Sequence, residues 1–214
     1  MYERFIKRLL DLMLSVIAGI VLAIPMLIVA VIIKVDDPGP ALFKQKRVGK
    51  NKTYFWLYKF RTMKMNTPDI PTHLLEHPEQ YITRTGHFLR KFSIDELPQL
   101  YNAIRGEISL IGPRPALWNQ YDLLEERDRY GANDVRPGLT GWAQINGRDE
   151  LEIPEKARLD GEYVAALRHG SWTAFMMDVR CFIGTIFSVA KHEGVVEGGT
   201  GELEKQEGRE AAFK

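Results

Sequence analysis

Residues Leu12 to Ile33, LMLSVIAGIVLAIPMLIVAVII, run for 22 positions without a charge. At about 1.5 Å per residue a helix of that length reaches about 33 Å, enough to cross a hydrocarbon core of about 30 Å. The run is too long for the apolar part of a removed signal peptide, and no small-x-small site precedes Lys34. Arg4, Lys7 and Arg8 come before it, and Lys34, Lys44, Lys46, Arg47, Lys50 and Lys52 after it. Positive charge prefers the cytoplasmic side of a membrane, and here both flanks carry it. A hairpin that dips into one leaflet keeps both flanks on that side. Pro25 supplies a break near the middle, which leaves two arms of about 16 Å. The re-entrant form is therefore favoured over a kinked span, although spanning helices also tolerate proline. Lys7 and Asp11, four residues apart, can pair on one helical face.

Charge is divided unevenly along the 214 residues. Residues 1–64 hold 12 Lys/Arg against 4 Asp/Glu, and residues 65–214 hold 17 against 24, which gives about +8 and −7. The basic part calls for an anionic surface, and the apolar run makes that surface a phospholipid membrane, with no nucleic acid as partner. Cys181 is the one cysteine, so an internal disulfide is excluded and a reducing compartment fits. The predicted fold class is mainly α with a small β-hairpin (α+β). Residues 1–35 form the re-entrant helix-break-helix, 36–192 a compact cytoplasmic domain with interfacial amphipathic helices, and 193–214 a disordered tail. After the turn DDPGP, Ala41–Val48 and Thr53–Phe60 read as hairpin strands joined by residues 49–52. Leu74–Tyr81, interrupted by Pro78, reads as a weakly helical surface excursion. Helices are expected over Gly86–Phe92, Trp118–Tyr130, where Arg127 lies on a solvated face, and Pro154–His169. In a last helix capped by Ser171, Trp172, Phe175, Met176, Val179, Phe182, Ile183, Ile186 and Phe187 form an apolar stripe, either core or membrane interface. Residues 136–149 read as a glycine-rich loop.

Ser93 to Pro115, SIDELPQLYNAIRGEISLIGPRP, sets Asp95 and Glu96 side by side. Leu97, Leu100, Tyr101 and Ile104 recur at helical spacing and Gly106 supplies a stop. Ser93 with Glu96 has the form of a capping box, while Pro98 in the first turn favours Asp95 as the cap. Capping occupies one carboxylate. Two of them, with arginines on both sides, point to the handling of an anion, which a helix N-terminus also favours. The histidines at 73, 77, 87, 169 and 192 are scattered with no nucleophile beside them, and no Cys/His cluster has metal-ligand spacing.

Together KRLLDLMLS at the start, the proline-broken apolar helix, YKFRTM (58–63), DELPQLYNAIRGEISLIGPRP (95–115) and RPGLTGWAQINGR (136–148) resemble the bacterial sugar transferase family, over about Tyr2 to Lys191. These are the monotopic phosphoglycosyl transferases, which begin surface-glycan assembly on a polyprenol carrier. Nothing resembles the extra N-terminal parts of larger members, so the small form is expected. The resemblance implies transfer of a sugar 1-phosphate from a UDP-sugar to undecaprenyl phosphate with release of UMP, at the cytoplasmic face of the inner membrane, with Mg2+, upstream of further glycosyltransferases. It makes Asp95 the nucleophile of a covalent phosphosugar intermediate, and Asp95 with Glu96 the catalytic pair and metal ligands. Arg61, Arg90, Arg114, Arg136 and Arg148 are the expected substrate-binding cations. Two positions depart from the pattern: Ile24 precedes the break proline where serine is common, and Asp149 follows the NGR motif where asparagine is common.

Physical chemistry agrees with that assignment. A carboxylate attacking a phosphorus flanked by anionic oxygens meets repulsion of about 4 kcal/mol per charge pair at 4 Å and effective dielectric 20, roughly a thousandfold in rate. Cations must offset it, through bidentate arginines, a bridging metal and a helix dipole. Adjacent carboxylates let one act as nucleophile while the other positions a metal or a proton. Two other classes fit less well. A metal-dependent glycosyltransferase moving only the sugar lacks its Asp-x-Asp motif here, and a non-catalytic membrane-surface protein leaves Asp95 and Glu96 idle.

Overall fold

In the computed structural model the apolar run folds as two helices, α1 (Lys7–Val21) and α2 (Ala23–Asp36), bent by 60° at Leu22. Residues 2–68, 77–147 and 151–191 are described. The sequence places the break at Pro25, and the structure moves it three residues earlier. The ring of Pro25 crowds the carbonyl of Val21, four residues back, and its missing N–H falls in the first turn of α2, where it is unneeded. Leu22 leaves helical geometry (φ −91°, ψ 1°) while its amide still bonds Ala18 O at 2.8 Å. Neither helix alone is long and apolar enough to cross a membrane; the bent pair passes by length and composition. Ile20, Ile24, Leu27 and Val31 are exposed along it.

Both ends of the bent pair are fastened to the rest of the chain. Lys7 does not pair with Asp11 as its spacing suggests. Its ammonium donates to Asp178 Oδ2 at 2.7 Å, as does the Tyr2 hydroxyl. Asp11 instead accepts from Ser109 Oγ (2.7 Å) and the Leu110 amide (3.0 Å). Both charges are buried, and a buried charge needs partners that replace water, which an i,i+4 pair on a helix surface does not provide. Arg8 caps the far end of α4 (Gln99–Arg105), donating to the carbonyls of Ala103 and Ile104. At the other end Met26, Val29, Ala30 and Ile33 pack on Ala41, Phe60 and Leu89, with Ile94 and Leu97 beside them.

The expected hairpin is present as β1 (Leu42–Val48) and β2 (Tyr54–Phe60), antiparallel, with Leu42 opposite Phe60 and Val48 opposite Tyr54. A short helix α3 (Arg84–Lys91) follows, capped by Thr83 Oγ1 on the Gly86 amide. Of the predicted 74–81 excursion, Pro78–Tyr81 forms a 3-10 turn and 74–76 lie outside the described residues. A second sheet was not expected: β3 (Ser109–Ile111) and β4 (Gly138–Thr140) pair in parallel, Ser109 with Gly138 and Ile111 with Thr140. The stretch at 136–149 read as a loop therefore begins with a strand and continues into α6 (Trp142–Ile145). Strands of three residues are too short to show periodicity.

Helix α5 (Tyr121–Asp128) packs on α7 (Ile153–His169). Here the reading of Arg127 is corrected: it is 4% exposed, and its Nε and Nη2 donate to Asp160 Oδ2 at 2.8 and 2.6 Å. The last helix, α8 (Ser171–Lys191), contains Ser171 as its first residue, one place later than a cap. It buries the line Ala174, Asp178 and Cys181 and leaves Trp172, Phe182, Ile183, Ile186 and Phe187 exposed. The stripe is thus not the core, which on this side holds Ile111, Ala132, Val135, Tyr163, Val164 and Cys181. Large apolar side chains facing outward in such a row mark an interaction surface.

Candidate active site

Asp95 and Glu96 sit in a 3-10 turn, Ile94–Glu96, entered through Ser93 in a left-handed conformation (φ 54°). Helix α4 starts only afterwards, with Pro98 at its N-cap and no side-chain cap. Neither the Ser93 capping box nor the Asp95 cap forms, so both carboxylates are released from that structural task. Ile94 and Leu97 on either side of the pair pack toward the seat of α2, which fixes the turn beside that helix.

The turn faces strand β2. Successive strand residues alternate sides, so Lys59 and Arg61 share one face while Phe60 enters the core. Lys59 Nζ donates to Glu96 Oε1 at 2.8 Å and lies 4.0 Å from Asp95 Oδ2. Arg114, from the GPRP turn after β3, holds the same Glu96 through both carboxylate oxygens, Nη2 to Oε1 at 2.5 Å and Nη1 to Oε2 at 3.2 Å. Asp95 is 8% exposed. Burial pushes its carboxyl above the ordinary aspartate range, against the pull of Lys59 and with help from the Glu96 charge; Arg90 and Arg114 also oppose the rise. Glu96 is desolvated too, yet Arg114 and Lys59 hold its carboxyl well below the usual range. Burial pulls the Lys59 ammonium below the ordinary lysine value, with Glu96 opposing. Two adjacent carboxylates are thereby driven apart in acidity, and such a split can separate roles at a site: Glu96 is fixed in an ion-pair network, and Asp95 is held less tightly.

Of the expected arginines, Arg90 joins the group. Its Nε donates to Thr62 Oγ1 at 2.9 Å, and its charge bears on Asp95. Arg114 is present through Glu96. Arg61 is close along the strand but is engaged elsewhere: it is 7% exposed, donates to the Asp37 carbonyl and lies 3.5 Å from the Asp37 carboxylate, latching the turn that leaves α2. Arg136 lines a different small cavity, with Glu3, Lys7, Asp11 and Tyr163. Arg148 lies outside the described residues. Sequence reasoning missed Lys59. Strand alternation puts position 59 on the same side as the buried Leu57, so no local signal marked it; the packing of β2 against the Ile94–Glu96 turn brings its ammonium to the carboxylates.

Among the described residues no group of three or more His, Cys, Asp or Glu side chains is placed to hold a metal ion. Asp95 and Glu96 supply at most two carboxylates, and Glu96 is already held by two cations. That donor set suits magnesium, which commonly takes one or two carboxylates and draws its other ligands from substrate phosphates and water.

An apolar bent helix pair is thus seated on a helical domain, with a cation-braced carboxylate pair at the seat. The model of the bacterial sugar transferase family matches residues 2–192, and the chain belongs to that family. It is 38% identical over 190 residues to an uncharacterized sugar transferase, EpsL, of Bacillus subtilis, covering 89% of this chain and 90% of that one. It is 40% identical over 191 residues to the undecaprenyl-phosphate glucose phosphotransferase of Komagataeibacter xylinus (84% and 35% covered), and 34% identical over 193 residues to the UDP-glucose:undecaprenyl-phosphate glucose-1-phosphate transferase of Escherichia coli (86% and 40%). The chain thus spans nine-tenths of the first relative and about two-fifths or less of the other two.

Proposed function

We propose that the protein transfers a sugar 1-phosphate from a UDP-sugar to undecaprenyl phosphate, releasing UMP, in exopolysaccharide or capsule assembly. The observation that carries the reading is the Asp95–Glu96 pair: a buried carboxylate of raised pKa beside one neutralised by Lys59 and Arg114, in a chain whose relatives are named for this transfer. In the first step an Asp95 oxygen attacks the phosphorus that bears the sugar. The Asp95 O–P bond forms, the bond to the bridging oxygen breaks, and UMP leaves with the electron pair. In the second step an oxygen of the lipid phosphate attacks the same phosphorus and the Asp95 carboxylate departs. Lys59, Arg90 and Arg114 reduce the repulsion between Asp95 and the phosphoryl oxygens, which at about 4 kcal/mol per pair would otherwise dominate the barrier. Magnesium, held by Asp95 or Glu96, would neutralise diphosphate charge and ease departure of UMP. The product, a lipid-linked diphosphate sugar, is a substrate for a further glycosyltransferase.

The same reading places the chain monotopically on the cytoplasmic face of the inner membrane, with α1 and α2 re-entrant. Support comes from the basic flanks and from the fastening of both ends to one domain, Lys7 on Asp178 and Ile33 on Phe60 and Leu89. Arms of 15 and 14 residues are about 22 and 21 Å long, and a 60° bend lifts their apex about 11 Å above the line joining the ends. One leaflet of the hydrocarbon core is about 15 Å deep.

The test is UMP release by the purified full chain from a panel of UDP-sugars, with magnesium and undecaprenyl phosphate. Lipid-dependent UMP release with one sugar is expected. Release of UDP in place of UMP would show transfer of the sugar alone and overturn the proposal.

A further inference from the structure

The parallel pair β3–β4 sends two loops out of the same edge. Ligands of parallel sheets gather at the carboxyl ends of the strands, and here those ends are Ile111 and Thr140. The chain continues from the first into Gly112 and Arg114, and from the second into Gly141 and α6. The two exits touch through their backbones: the Gly112 amide donates to Thr140 O at 2.8 Å, and a Cβ at Gly141 would collide with the Gly112 carbonyl oxygen. Three residues past Gly141 stands Gln144, 9% exposed, whose Oε1 and Nε2 are both buried and have no hydrogen-bond partner among the described residues. The same hypothetical Cβ of Gly141 would lie 3.0 Å from Gln144 Oε1, so the amide folds back toward the contact between the loops.

A buried carboxamide with an idle donor and an idle acceptor opposes folding, because both atoms have given up water for nothing. Its retention is explained by a ligand that offers the complementary pair. Gly112 is two residues from Arg114, whose guanidinium grips Glu96 beside Asp95. Two Cα steps from Arg114 to Gly112 are about 8 Å, the three residues from Gly141 to Gln144 rise about 5 Å in α6, and the two glycines touch between them, so the backbones of Arg114 and Gln144 lie within about 20 Å of each other, a span that a nucleoside diphosphate bridges together with the two side chains reaching toward it.

We propose that Gln144 reads the uracil of the donor, its Oε1 accepting from N3–H and its Nε2 donating to a ring carbonyl beside it. A carboxamide presents one acceptor and one donor side by side, and the imide edge of uracil presents the matching donor and acceptor. This rests on the proposed UDP-sugar donor, and it assigns recognition of the base to the parallel-strand edge, apart from the phosphates at Lys59, Arg90 and Arg114.

The experiment compares UMP with 3-methyluridine 5′-monophosphate, which lacks the N3 proton, by calorimetry on the full chain in detergent. Wild type should bind UMP about ten- to a hundredfold more tightly, the range expected for one or two well-placed hydrogen bonds. Gln144→Leu, similar in volume, should weaken UMP to the level of the methylated nucleotide and abolish the discrimination. It should also raise the KM for UDP-sugar while leaving unchanged the rate at which a preformed phosphosugar enzyme discharges to undecaprenyl phosphate, a step that involves no uridine. Gln144→Glu, which keeps acceptors and loses the donor, should also bind UMP weakly. If folded Gln144→Leu still prefers UMP to the methylated form as wild type does, or if wild type binds both alike, the assignment is wrong. Failure of the transfer reaction itself would appear separately, as absence of UMP release by wild type.

Discussion

Lys59→Met removes a cation that reaches both carboxylates, and its effect can be worked out from two distances. Nζ lies 2.8 Å from Glu96 Oε1 and 4.0 Å from Asp95 Oδ2. Glu96 keeps its bidentate Arg114 in the variant, so the pair does not lose all compensation. Asp95 loses the main charge that opposes its burial. A unit charge at 4 Å is worth about 4 kcal/mol at effective dielectric 20 as an upper bound, so in the variant the Asp95 carboxyl is expected to rise further above the ordinary aspartate range. In wild type the first step needs Asp95 ionised and Lys59 protonated. Its rate should therefore fall on the acid side through the raised Asp95 pKa, and on the alkaline side through the lowered Lys59 pKa. Lys59→Met should carry the acid limb upward and erase the alkaline limb, and Lys59→Arg should push the alkaline limb out of range with activity retained. The assay is the burst of UMP from enzyme and UDP-sugar without lipid acceptor, followed against pH. An alkaline limb that persists unchanged in Lys59→Met, with an unmoved acid limb, would refute the reasoning.

Asp95→Asn should remain folded and membrane-bound with essentially no turnover, and mass spectrometry should find the phosphosugar adduct on the Asp95 peptide of wild type and no adduct in the variant; an adduct on Glu96 would reverse the roles. Arg127→Ala strands Asp160, 0% exposed, as an uncompensated buried charge and should cost about 3–5 kcal/mol in denaturant unfolding, while Arg127→Ala with Asp160→Ala recovers part of it; a loss under 1 kcal/mol would deny the pair its structural role. Pro25→Ala should straighten the bend and expose a cysteine placed before Tyr2, in a Cys181-free background, to an impermeant reagent outside intact cells. Equal protection in both proteins would show that Pro25 does not set the topology, and labelling of the unaltered-Pro25 protein would sink the re-entrant model.

Local signals carried far in this chain. The uncharged run with its proline, the hairpin, and the helices after 84, 99, 121, 153 and 171 could be read from periodicity and turn residues, since those depend on near neighbours. The acidic pair could be read because adjacent carboxylates among arginines have few structural uses. What escaped was pairing across long stretches of sequence. Lys7 has an obvious partner four residues away and takes one 171 residues away. Arg127 sits among exposed charges on α5 and turns inward to Asp160. The three-residue strands joining Ser109 to Gly138 have too few positions to alternate, and Gln144, in a glycine-rich stretch, gives no sign that its amide will be buried. For the site, the carboxylates were legible and the brace on them was only half so: Arg114 and Arg90 were named, Arg61 went to Asp37, and Lys59 needed the packing of the hairpin on the Ile94–Glu96 turn.

The bond from Lys7 to Asp178 also sets an order of events during synthesis. At about 5–20 residues per second, a ribosome needs roughly 10–35 seconds to travel the 171 residues between them. Throughout that interval the bent helix pair has emerged while its counter-ion does not yet exist, and Lys7 stands as a bare positive charge at the mouth of an apolar segment. A bare charge of that kind holds its flank on the cytoplasmic side. When Asp178 arrives, the charge is neutralised and drawn into the interior beneath Tyr2 and Tyr163. In the proposed re-entrant arrangement one ammonium serves first as the address of the helix and afterwards as its anchor.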